Sequence, residues 1–346
     1  MDGVVRQPMT DWSDVIARVA GLKTHLLSAE QLRGLSRSSD LSSLADGLER
    51  AGFPVWVTAT GESATALDHA VRRQAGEELS VLARWSGSRG RRLGAVFEDE
   101  DRRSLRTLFR GLVQGVAPAH RLSGLIPTPG LPERALQELA AQQSGEAMAG
   151  VLSIWGSPFA GPLFEELMPA QPDPFRLELL LDRTWTSRVL RGPGGRDRDI
   201  RRFARITIDL ANIRSALLMV LQGTDVEIDD AFLAGGEMLQ RAAFLRASAA
   251  GSVEEAAQVL ARDLTSPGFS RVLRTHQDLS TLEEALLGEH ATQLARHALI
   301  EPNGLAPVLS YWLRLRRQLI DLRRLIWGVA LDMPRPALLS GLAGVR

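Results

Sequence analysis

One helical pattern occurs three times in this chain at nearly constant spacing, and that restricts the fold more than any bulk property. DLANIRSALLMVLQG occupies residues 209–223, DRRSLRTLFRGLVQG residues 101–115, and QLIDLRRLIWGVALD residues 318–332. In the middle copy Leu210, Ile213, Leu217, Val220 and Leu221 fall three or four apart, the spacing of one helix face. A Leu/Ile-Arg dipeptide marks each copy: Leu105 with Arg106, Ile213 with Arg214, and Leu322 with Arg323, separated by 108 and 109 residues. Two further signals keep the period. Asp68, Glu178 and Glu283, each preceded by leucine, open a helix ahead of the repeated one, and the Ser-Pro pairs at Pro158 and Pro267 stand 109 apart. A period this long belongs to a domain-sized unit copied twice rather than to a short-repeat solenoid. The expected units are residues 1–115, 116–223 and 224–346.

The intervening sequence reads as helices and turns. Residues 11–27 carry a stripe of Val15, Val19, Leu22 and Leu26, which predicts a first amphipathic helix. Ser28 with Gln31, and Ser252 with Glu255, have the spacing of a capping box. A helix over 40–51 ends at Gly52 and Pro54. Residues 55–58 are the one extended stretch, too isolated to form a sheet. Connectors rich in Gly and Pro lie at 126–130, 169–174 and 233–236, and an exposed loop is expected at 191–198. The fold class is all-α, three related helical bundles.

The 346 residues, 45% of them hydrophobic, are enough to fill several cores. Charge is balanced, 41 basic against 41 acidic residues, so nothing in the total argues for nucleic acid or a membrane surface. The absence of cysteine excludes disulfides and thiolate metal sites and suits a reducing compartment. No apolar run reaches 18 residues and the first residues lack the core of a signal peptide, so a soluble, cytoplasmic protein is expected, reaching a membrane only through a partner. Lys23 is the only lysine. Seven arginines crowd residues 188–205. Without interleaved aromatics they read as a solvated loop or a docking face for an acidic protein, better than as a nucleic-acid groove. Arg191, Arg196 and Arg198 are therefore candidate partner contacts, together with Trp56, the tryptophan that falls in a connector. The other tryptophans, such as Trp155, mostly lie on apolar stripes and read as core.

No catalytic, cofactor or metal site is expected. Gly21, Leu22 and Lys23 do not complete a phosphate-binding loop, and neither a Gly-x-Ser-x-Gly elbow nor a His-Glu-x-x-His motif occurs. His290 and His297 lie two helical turns apart with no third ligand nearby in sequence. The acids at 98–101 read as a helix start, where carboxylates favour the dipole. The repeated arginines border apolar stripes and need acceptors. Pairs within each unit are one reading, Arg106 with Asp68, Arg214 with Glu178 and Arg323 with Glu283; extension of the guanidiniums to solvent is the other.

The chain resembles a known family, the C subunits of prokaryotic V/A-type ATPases, which are similar to the eukaryotic d subunit. The motifs are ARVAGLKTHLLSAE at 17–30, like the family's opening helix and Leu-Leu-Ser turn, and GLAPVLSYWLR at 304–314 leading into Asp321, Leu322, Arg323 and Gly328. Asn212, Ile213 and Arg214 match the family's Asn-Leu-Arg motif. Asp321 stands where Asn is usual, Gln318 where an acid is usual, and Trp185 and His290 where tyrosine is common. The resemblance implies three pseudo-symmetric helical domains forming a funnel on the membrane rotor ring, with the central shaft docked in its mouth. It implies a non-enzymatic coupling subunit of the central stalk, one copy per complex, that transmits torque for ion transport or ATP synthesis. The alternative is an all-helical repeat adaptor for an unrelated protein partner.

Overall fold

The computed structural model describes residues 12–53, 63–167, 173–192, 195, 197–223, 227–276 and 278–342. The candidate contacts Trp56 and Arg196 and the extended stretch at 55–58 lie outside these. Among the described residues there are helices and no strands, so the chain is all-α. In order the α-helices are α1 (Ser13–Leu22), α2 (Ala29–Leu35), α3 (Leu41–Arg50), α4 (Ala64–Ser86), α5 (Gly90–Val113) and α6 (Pro118–Arg121). Then follow α7 (Glu133–Ala141), α8 (Gly145–Ile154), α9 (Ala160–Leu167), α10 (Pro174–Arg191), α11 (Arg198–Gln222) and α12 (Ile228–Ala231). The last six are α13 (Arg241–Ser248), α14 (Val253–Asp263), α15 (Pro267–Thr275), α16 (Leu279–Ile300), α17 (Ala306–Ala330) and α18 (Arg335–Gly341).

Local chemistry sets many of these boundaries. Ser28 and Gln31 form the capping box that starts α2, and Asp40 forms another with Ser43 at α3. Ser252 caps α14 by accepting the Glu255 N–H, while the Glu255 carboxylate reaches Gly251 instead of closing the box. The Ser-Pro pairs separate α8 from α9 and α14 from α15. The three repeated helices are α5, α11 and α17, and each is preceded by a long partner, α4, α10 or α16. They also end alike. Gly115, Gly223 and Asp332, again 108 and 109 residues apart, all have positive φ, Asp332 being the one non-glycine described with that conformation.

The long helices pack across pairs as well as within them. α5 lies against α10 and α11, α11 against α16, and α17 against α4, so each pair touches the other two. This surrounds α11 and α17. Ile213 and Leu217 are buried as the apolar face requires, and so are Asp209 beside them and Asn212 and Arg214 on the flanks, while Leu221 is exposed. A helix buried on several faces must satisfy each of its polar groups internally.

One position of the repeated helix does this by holding the connecting segment, and it recurs as Asp101, Asp209 and Gln318, 108 and 109 apart. Asp209 accepts the backbone N–H groups of Glu237, Met238 and Leu239 at 2.8, 2.7 and 3.2 Å, just ahead of α13. Asp101 accepts the Thr128 hydroxyl, which itself accepts the Leu131 N–H at 2.9 Å ahead of α7. Gln318 Oε1 accepts the Leu27 N–H at 2.6 Å, just ahead of α2. The third latch therefore ties the last long helix to the beginning of the chain, across 291 residues. Replacing Gln318 by Ala would leave the Leu27 N–H buried without an acceptor, so a loss of about 1–3 kcal/mol is expected in urea unfolding, with faster proteolysis ahead of α4. Unchanged unfolding would mean that the latch is idle.

The connector at 126–130 is also less exposed than its composition suggests. Ile126, Pro127 and Thr128 are buried, because the Asp101 latch draws them onto α5.

Candidate functional site: a charged cavity between the long helices

A cavity of about 340 Å³ lies between α4, α5, α11, α16 and α17. Its wall carries seven arginines, among them Arg72, Arg102, Arg103 and Arg106, against five carboxylates. Most of this charge is paired, and the pairs run between helices.

The densest part is built on α5. Arg102 is 3% exposed and donates to Asp99 on its own helix and to Asp182 on α10. Its guanidinium carbon sits 5.0 Å from the centre of the Trp185 ring, whose indole N–H donates to the Ala95 carbonyl at 2.9 Å. Arg103 donates to the other oxygen of Asp99 at 3.1 Å, and Arg316 of α17 stands 3.0 Å from Glu100. Burial alone would raise Asp99, but Arg103, Arg102 and Arg316 hold it below the usual carboxylate range. The acids at 98–101 are thus not at a helix start. They lie in the middle of α5, three of them buried; Glu98 meets Arg188, Glu100 meets Arg316 and Asp101 meets Thr128 from other parts of the chain, while Asp99 meets Arg102 and Arg103 of its own helix.

Two groups of the cavity are strongly shifted by burial. Arg106 is pushed down to about 9, first by burial and then by the neighbouring Arg214 charge. His290 is pushed down to about 3 by burial, stacks on Phe203 with ring centres 5.3 Å apart, and leaves its Nε2 without a hydrogen-bond partner. It is therefore neutral near pH 7.

The arginine–acid pairs differ from the within-unit pattern. Arg214 does meet Glu178, but it also binds Glu283 at 2.7 Å, and Glu178 accepts from Arg110 of α5 as well. Two acids of the second signal, Glu178 and Glu283, thus reach the arginine helix of the preceding copy. Arg106 and Asp68 form no ion pair among the described residues, and Asp68 accepts from Ser123 at 3.3 Å. Arg323 and Glu283 are likewise apart. Arg323 is exposed and lies against Gly124, where a Cβ would meet its Nη1. A linear period cannot reveal this offset, because it places an arginine and an acid in one unit without saying which neighbour faces them.

The remaining candidates are simpler. Arg191 and Arg198 are exposed, and Arg198 donates to Glu301 at 2.5 Å. Trp12, Trp185 and Trp312 are core residues, whereas Trp155 is 39% exposed, because α8 ends just before it at the Gly156 turn. No helix among the described residues is long and apolar enough to cross a membrane.

Long paired helices, cross-linked by buried ion pairs around a charged cavity, define the class: an all-helical protein whose parts are joined by polar contacts. Comparison with known proteins narrows it. A model of the ATP synthase (C/AC39) subunit family matches residues 15–339, and the chain belongs to that family. It is 25% identical over 330 residues to the C subunit of the A-type ATP synthase of Halorubrum lacusprofundi, covering 91% of this chain and 92% of that protein. The corresponding A-type ATP synthase protein of Haloferax volcanii is 27% identical over the same length and coverage. The C subunit of the V-type ATP synthase of Thermus thermophilus is 27% identical over 229 residues, 66% of this chain and 68% of that protein.

Proposed function

We propose that this chain is a non-catalytic central-stalk subunit of a prokaryotic V/A-type ATPase, coupling the rotary shaft to the membrane rotor ring. The observation that carries this reading is the family match across nearly the whole chain, 15–339. On this reading, three pseudo-symmetric units, at 1–115, 116–223 and 224–346, form a funnel. The shaft tip docks in its mouth and the ring binds below. One copy sits in each complex, on the cytoplasmic side, and reaches the membrane only through the ring.

The physical chemistry of the interior supports such a role. A torque-bearing part must resist shear between its helices, and here guanidinium–carboxylate pairs, buried or half-buried, join α5 to α10, α11 to α16 and α5 to α17. Charges fixed on one another in this way orient helices and are poor proton-transfer groups. Exposed Arg191 and Arg198 remain candidate partner contacts.

Affinity capture of the tagged full chain from its native membranes, read by mass spectrometry, is expected to recover shaft and ring subunits of a V/A-type ATPase in stoichiometric amount. Recovery of a single unrelated protein with none of these subunits would favour the adaptor reading and reject this one.

A further inference from the structure

The geometry points to a binding site for a divalent first-row transition-metal cation formed by Asp199, His297 and Glu301, apart from the charged cavity. Asp199 comes from the first turn of α11, while His297 and Glu301 are one turn apart at the end of α16. The His297 Nε2 is 3.0 Å from Asp199 Oδ1 and 3.8 Å from Glu301 Oε2, and the three candidate donor atoms all lie within 4.8 Å of one another. Donors bound to a tetrahedral zinc ion at about 2.0–2.1 Å stand roughly 3.3 Å apart, so these atoms are already near ligating positions.

The surroundings orient the donors. The Ala306 N–H donates to Asp199 Oδ2 at 3.0 Å, and Arg198 donates to Glu301 Oε1, which turns the other oxygen of each carboxylate toward the imidazole. Gly304 lets the backbone approach, since a Cβ there would come 2.5 Å from Asp199 Oδ2. Asp199 and His297 are buried, while the Glu301 side chain is 34% exposed and leaves an open side for a water ligand. The C-terminal end of α16 adds partial negative charge.

Two carboxylates and an imidazole suit Zn²⁺, Mn²⁺ or Fe²⁺ better than Ca²⁺ or Mg²⁺, which take six or more oxygens. Without an ion the same atoms make the Asp199–His297 hydrogen bond. Binding moves the Nε2 proton to Nδ1 and replaces that bond with two metal–ligand bonds. The ion would pin the turn between α16 and α17 onto the start of α11, joining the second and third long pairs.

Zinc chloride titrated into the chelator-stripped full chain, followed by calorimetry and elemental analysis, is expected to load one equivalent per chain. X-ray absorption should show nitrogen and oxygen donors with a single imidazole. Glu301→Gln keeps the Asp199–His297 bond, so the metal-free protein should melt unchanged while zinc affinity falls by about tenfold or more. Magnesium should not compete. Absence of stoichiometric uptake overturns the site. Uptake that is equal in wild type and Glu301→Gln also overturns it, since the ion would then sit on other histidines such as His25 or His120.

Discussion

Arg102→Ala is expected to cost about 3–5 kcal/mol, because it removes one partner from a buried charge cluster and leaves the other members in place. Asp99 and Asp182 are both nearly inaccessible, and both depend on this guanidinium. The substitution also opens space against the Trp185 ring and removes an ion pair that ties α5 to α10. Lysine would not replace it: an ammonium cannot serve two carboxylates and an aromatic face as a planar fork does. Urea unfolding monitored by circular dichroism reads the loss directly. A cost below about 1 kcal/mol, the range of surface ion pairs, would show that the cluster is hydrated and mechanically slack.

The second large effect is on pH dependence and belongs to Asp101. Burial pushes this carboxyl up to about 7; the Thr128 hydroxyl pulls it the other way, and the adjacent Glu100, Glu98 and Asp99 add to the rise. The folded protein therefore holds a proton on Asp101 that the unfolded chain, with a value near 3.8, releases. Stability from this group is full below pH 3.8 and is lost as pH rises through 7. Wild type should weaken relative to Asp101→Asn between about pH 4 and pH 8 by as much as about 4 kcal/mol, the free energy of that shift. The asparagine keeps an acceptor for Thr128 and cannot ionise. A stability difference that stays flat across this range would mean that water reaches the carboxylate.

The sequence exposes the parts of this fold that rest on local chemistry. Ser28, Asp40 and Ser252 cap helices because a side-chain oxygen needs only the next few N–H groups. The 108- and 109-residue period finds α5, α11 and α17 because each copy carries apolar residues three or four apart, the local spacing of a helix face. What it hides are partners set by tertiary packing. Glu98 to Asp101 look like a helix start until Arg316 and Thr128 are brought beside them. His297 has no third ligand in its own stretch because Asp199 arrives from 98 residues away. The Gln318 latch is visible in the sequence only as a departure from a usual acid, because its partner, the Leu27 N–H, arrives from 291 residues away.

The most direct measurement of the central claim is ion pumping by membrane vesicles stripped of this protein and then rebuilt with it. Stripped vesicles should still hydrolyse ATP through the soluble sector while building no ion gradient, and adding back the purified chain should restore pumping. Undiminished pumping without the chain, or no recovery on adding it back in folded form, would contradict its role as the link between shaft and ring.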